Sequence, residues 1–193
     1  MEKDILSIFR LTLIALMTLN IQSQIILSKD DELNLPLPKP YDGKVLSFEE
    51  TEQFLDSSLA DNKQPILIFG ANWCPDCRIF SGTIEIPKIK EYVDKHYSLL
   101  YVDVKRYEIN MDLMENYGIP AEEGIPRVLV FNHNKELINN TTTAEWRTAR
   151  ERSRQDIFNF FQTMERKNIP LITGEIYETT YRYNFIRILL LEV

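Results

Sequence analysis

The sequence predicts an α/β protein with a central mixed sheet and helices on both faces. Two continuous apolar runs, "PILIFG" at 65–70 and "YSLLYVDV" at 97–104, have the look of buried strands and are separated by a helical pattern. That strand–helix–strand order argues for a parallel pair. Further on, "PRVLVFNHNKELI" reads as two strands joined by a tight turn at Asn132–Asn134, which adds an antiparallel part. With helical patterns before and after, the order from 44 to 167 is helix, strand, helix, strand, helix, strand, strand, helix.

The elements follow from local signals. In "SFEETEQFLDSSLA", Ser47 is placed to cap a helix and Glu50 to reach back to it, while Phe48, Phe54, Leu55 and Leu59 give it an apolar face. A helix is expected to open at about Cys74 and to break near Pro87. "NMDLMENYG" suits a short helix capped by Asn110 and ended by Gly118. The last helix, "SRQDIFNFFQTMERK", has Ser153 as cap, Asp156 in its first turn and Ile157, Phe161 and Met164 on one face.

The flanks differ in character. Residues 1–23 carry charges, an apolar run from Leu11 to Leu19 and then a polar exit, the layout of a secretory signal. An uncleaved anchor and an apolar helix packed on the domain are the alternatives, although polar residues from Asn20 interrupt the run short of the ~20 apolar residues that a span needs. Residues 24–43 form a linker or surface-hugging arm, with three prolines between 36 and 40. The domain proper is expected at 44–167, with a C-terminal extension at 168–193 whose "YRYNFIRILLL" reads as an added edge strand or a partner-binding segment. "EWRTARERSR" (145–154) reads as a solvated loop and helix start; the alternative is a docking surface for an acidic partner, anchored by Trp146. Asn139 and Asn140 each begin an N-x-T sequon, which matters only in a eukaryotic exported chain.

The net charge of −7 excludes the basic surface that nucleic-acid binding requires, so no nucleic-acid partner is expected. The chain's two cysteines stand three apart in "FGANWCPDCR" and, if they pair, pair with each other. Structural zinc wants four ligands, and neither His96 nor His133 has ligand spacing to the pair. No metal or cofactor is expected. Cys74 falls just past a strand and at the first turn of a helix, where free N–H groups and the positive end of the dipole favour an anion such as a thiolate. Cys77 is one helical turn on, placed to attack a mixed disulfide formed at Cys74. Cys74 is thus the exposed nucleophile and Cys77 the resolving thiol. Pro75 suits a helix start. Asp76 raises a neighbouring thiol pKa and Arg78 offsets it, with the sum left open.

These features resemble the thioredoxin superfamily: "WCPDC" after "ILIF", then "YVDV", "YGI" and "GIPRVLVF", in the family's order and together spanning roughly 44–167. The resemblance implies a thioredoxin-like fold, a cis peptide bond before Pro126 facing the cysteines, and pairing of the Ile125 backbone with a substrate chain. Trp73, Ile125 and Pro126 are the implied substrate contacts, with Pro75, Asp76 and Arg78 in support of Cys74 and Cys77. The implied activity is thiol–disulfide exchange with protein disulfide or dithiol substrates, as reductant or oxidant. The implied partner is a membrane or soluble electron donor, and the implied setting an exported one. A cytoplasmic setting is the alternative, since "WCPDC" also occurs in a small cytosolic relative. A second functional class is a binding module on the same fold that captures a partner or a soft metal without turnover. The chain departs from the family where a buried acid usually precedes the first cysteine by six residues: Ile68 stands there, and Leu99 is expected in place of the acid's lysine partner. "PAEE" is also inserted before the "GIP" element.

Overall fold

The computed structural model describes residues 24–168. The proposed signal segment and the C-terminal "YRYNFIRILLL" lie outside them. The ordered elements are α1 (Phe48–Ala60), β1 (Gln64–Gly70), α2 (Pro75–Ile84), α3 (Pro87–His96), β2 (Tyr97–Asp103), α4 (Asp112–Asn116), β3 (Arg127–Val130), a 3-10 segment (Glu145–Glu151) and α5 (Arg154–Asn168). The sheet has the order β2-β1-β3, with β2 parallel and β3 antiparallel to β1.

β1 is the centre of the molecule because every one of its residues is buried. A strand turns successive side chains to opposite faces. Ile66 and Ile68 therefore join Val128, Val130, Phe80 and the α3 and α5 residues Tyr92, Val93, Phe158 and Phe161 in one core. Leu67 and Phe69 join Leu55, Leu113, Met114 and Leu129 in the other. The two-faced α/β architecture follows from this division.

Several caps are formed as the sequence predicts. Glu50 N donates to Ser47 Oγ at 3.1 Å and Ser47 N to Glu50 Oε2 at 2.8 Å. Ser153 and Asp156 exchange the same pair of bonds, at 3.1 and 2.9 Å. The chain breaks between α2 and α3 with Pro87 at the first position of α3, where a missing N–H costs nothing. Gly118, at φ +72°, ends α4 in the left-handed conformation that glycine adopts without strain.

Three expectations are corrected. Asn110 does not cap α4: Met111 takes that position, with no side-chain hydrogen bond. The Asn110 amide is instead spent on backbone, accepting from Leu46 N and donating to Lys44 O and Asp103 O. The second strand of the hairpin after Asn132 shrinks to a single bridge between Phe131 and Leu137. The Asn139 side chain takes over the ladder there, accepting from Val130 N at 2.9 Å and donating to Val128 O at 2.8 Å. Trp146 is neither solvated nor a docking anchor. It is 2% exposed and packs against Phe80 and Phe160, because the 3-10 segment lies on α2.

The Asn139 bonds make a stability prediction. Asn139→Ala leaves a buried amide and a buried carbonyl of β3 without partners, each worth about 1–3 kcal/mol. Urea denaturation should show a loss of roughly 2–6 kcal/mol with an unchanged slope. Asn140, the other sequon residue, is exposed, and its alanine variant should be near neutral by the same measurement.

Candidate active site

β1 ends at Gly70 and α2 begins at Pro75, so the short turn between them delivers both sulfurs to the end of the sheet. Cys74 is the N-cap residue of α2. Its backbone N–H donates to Ala71 O at 3.1 Å, which closes the turn. Its Sγ accepts from Cys77 N at 3.2 Å, so the sulfur does what an N-cap oxygen does elsewhere and satisfies a free helical donor. Pro75 starts the helix without wasting an N–H.

Both cysteines are more enclosed than expected for an exposed nucleophile. Cys74 is only 4% exposed and Cys77 fully buried. The loop before β3 accounts for this: Cys74 Sγ lies 3.7 Å from Ile125 O, as donor to that carbonyl. The Ile125–Pro126 peptide bond is cis, as the resemblance implies. Trp73 is the open member of the group at 44% exposure. Its indole N–H donates to Lys105 O at 2.6 Å, and its ring meets Tyr107 edge-on at 6.0 Å and the Arg106 guanidinium at 5.2 Å. Tyr107 Oη in turn accepts from Gly124 N at 3.3 Å, and Arg127 Nε donates to Gly124 O at 3.2 Å. Trp73, Ile125 and Pro126 thus form one rim beside Cys74.

The electrostatics separate the two thiols. The Cys74 pKa is held below the ordinary thiol value. The neighbouring Cys77 side chain contributes most, and the Cys77 and Asp76 backbone N–H groups add to it, against burial and the Asp76 charge. The Cys77 pKa is pushed far up by burial first, and then by the Cys74 sulfur and the Asp76 charge. Cys74 is therefore the more acidic of the two thiols and Cys77 the one that holds its proton more strongly.

The cation opposite Asp76 is Arg150, not Arg78. Asp76 accepts from Arg150 N at 2.9 Å and from Arg150 Nε at 3.1 Å. Arg78 turns the other way and donates to Leu37 O and Pro38 O, fastening the arm. The residue beside Ile68 on β2 is Tyr101, while Leu99 pairs with Ile66, so the register moves the expected lysine position by two residues. Sequence reasoning missed Asn72, within the active-site turn itself, and Arg150, Tyr107 and Tyr41, which reach the site from other elements. No spacing in the sequence marks them.

A dithiol held this way, one sulfur capping a helix and the other buried beneath it, defines a thioredoxin-fold redox or capture centre. A sequence profile described as Thioredoxin matches residues 39–143, and the chain belongs to that family. Among solved structures, a disulphide isomerase from Xylella fastidiosa Temecula1 is 32% identical, over 66% of this chain and 98% of its own, with a TM-score of 0.60. A protein of unknown function from Pseudomonas aeruginosa is 17% identical over 61% of this chain and 80% of its own, with a TM-score of 0.37. No curated protein matches the chain.

The thiol assignments are testable by alkylation. The rate of iodoacetamide reaction at Cys74 should rise with pH through a midpoint below the ~8.5 of a free cysteine. Asp76→Asn removes a charge that raises this midpoint, so it should move further down. A midpoint that rises in the variant would contradict the assignment.

Proposed function

We propose that the chain is an exported thiol–disulfide oxidoreductase that exchanges disulfides with protein substrates through Cys74 and Cys77. The observation that carries this reading is the asymmetry of the pair: a thiolate-favouring Cys74 at the rim and a buried, protonated Cys77 one turn away. Membership of the thioredoxin family and the likeness to a disulphide isomerase support it.

The chemistry balances as follows. The Cys74 thiolate attacks one sulfur of a substrate disulfide. A Cys74–substrate disulfide forms, and the other substrate sulfur leaves as a thiolate. Cys77 then loses its proton and attacks Cys74 Sγ. The Cys74–Cys77 disulfide forms, the substrate sulfur departs, and the released proton completes its thiol. The substrate gains two electrons and the chain loses two. A membrane or soluble donor returns them, and the reverse sequence oxidises a dithiol. The rim of Trp73, Ile125 and Pro126 supports a role in aligning the substrate chain, with the Ile125 backbone beside the attacking sulfur.

The expected results are specific. Cys74→Ser should abolish reduction of a disulfide-bonded protein substrate. Cys77→Ser should keep the first step and accumulate a mixed disulfide, visible as a mass adduct at Cys74 that added dithiol removes. Equal exchange by wild type and Cys74→Ser would overturn the proposal. Fractionation of the source cells, with the chain retained in the cytoplasm, would overturn the exported setting alone.

A further inference from the structure

The exchange cycle needs Cys77 as a thiolate at the moment it attacks, yet burial holds Cys77 strongly in the thiol form. β1 offers no polar side chain for the task, since Ile68 and Gly70 are its residues on the face that Tyr101 shares. The polar group arrives from the arm. Tyr41 is 3% exposed, and its ring meets Tyr101 edge-on at 5.4 Å. A Cβ placed on Gly70 would collide with Tyr41 Oη and would stand 3.0 Å from Cys77 Sγ. The phenol and the resolving sulfur therefore crowd the same small space above Gly70, which only the absence of a side chain leaves open.

Tyr41 Oη is a buried hydroxyl with no hydrogen-bond partner among the described residues. Ser81 stands close by, with its own hydrogen given to Cys77 O at 2.8 Å. Leaving a hydroxyl unpaired in the core is costly. The chain nonetheless fixes this one firmly. The Asn72 side chain accepts from Tyr41 N at 3.2 Å and donates to Tyr41 O at 2.6 Å, and Arg78 clamps the backbone at Leu37 and Pro38. Asn72 and Arg78 flank the two cysteines in sequence, so the active-site turn itself holds the arm in place.

Resting on the oxidoreductase reading above, we propose that Tyr41 is a further catalytic residue: its phenol donates a hydrogen bond to the Cys77 thiolate formed during resolution. The phenol suits the part because burial, then the nearby Cys77 and Tyr101, raise its pKa well above the ordinary value, so it keeps its proton. It gives no proton up. The Cys77 proton is released as the sulfur attacks Cys74 Sγ, to the departing partner sulfur or, where that stays a thiolate, to water, while Tyr41 stabilises the transient anion. The groups that bear on Cys77 are Cys74 at the cap of α2, Asp76 in its first turn and paired with Arg150, and the Ala71 backbone in the turn, whose hydrogen bond favours the anion, together with Tyr41 from the arm and, through Tyr41, Tyr101 from β2.

The test uses the reduced full chain and the chromogenic disulfide dithiobis(nitrobenzoate). Attack by Cys74 releases one coloured thiolate, and attack by Cys77 on the resulting mixed disulfide releases a second. Hydrogen bonds to charged groups are strong enough to shift a thiol pKa by about one to two units. A more basic thiolate is also more nucleophilic, which offsets about half of that shift on a logarithmic scale. Tyr41→Phe should therefore leave the first phase unchanged, slow the second by roughly three- to tenfold, and move its pH midpoint upward. Its melting temperature should equal or exceed that of wild type, since the variant removes an unpaired hydroxyl. An unchanged second phase and pH midpoint, or equal slowing of both phases, would overturn the role of Tyr41. A wild-type chain that releases only the first thiolate would overturn the exchange reading beneath it.

Discussion

The contact between Cys77 N and Cys74 Sγ, at 3.2 Å, is the constraint around which the site is arranged. A helix leaves its first N–H groups unsatisfied, and here a sulfur fills the place that serine, threonine or aspartate usually holds. A thiolate fills it better than a thiol, because the donor and the helix dipole both favour negative charge. The cap thus couples helix formation to thiol ionisation. Fixing Cys74 at the cap also fixes Cys77 one turn inside the helix, where burial makes it the opposite of its neighbour.

The rest of the fold serves that cap. β1 is buried along its full length, so its C-terminal end is held by two cores, and the turn that follows inherits their rigidity. The loop before β3 lies over Cys74 because Arg127 and Tyr107 hold Gly124 on either side. Asp76 keeps an otherwise unfavourable charge near the thiolate, but it is anchored by Arg150 and so ties the 3-10 segment to α2. The carboxylate opposes the Cys74 anion and at the same time locates the helix that produces it.

The arm belongs to the same system. Residues 24–43 read as a linker or a surface-hugging arm because prolines and charges are frequent there. Yet Leu37 packs over Gly82, Arg78 binds the backbone beside it, and Tyr41 enters the core next to Cys77. Composition describes what a segment does when left in water. It does not register that the carbonyls of a proline-rich stretch are good acceptors for a nearby arginine.

The sequence by itself determined the fold class, the capping box at Ser47, the cap at Ser153, the break at Pro87 and the identity of both cysteines. Each of these depends on neighbours within a few positions: apolar periodicity, a cap residue with its partner three along, a missing N–H, two sulfurs one turn apart. It misassigned Asn110, the second strand after Asn132, the exposure of Cys74 and the surroundings of Trp146, because those depend on which distant backbone or ring arrives. Tertiary structure alone decided that Arg150 rather than Arg78 faces Asp76, that Tyr101 rather than Leu99 lies beside Ile68, and that Tyr41 stands above Gly70. The physical reason is common to all three. Side-chain charge and hydrogen-bonding capacity are written in the sequence, but the partner that uses them is chosen by packing between elements far apart in the chain.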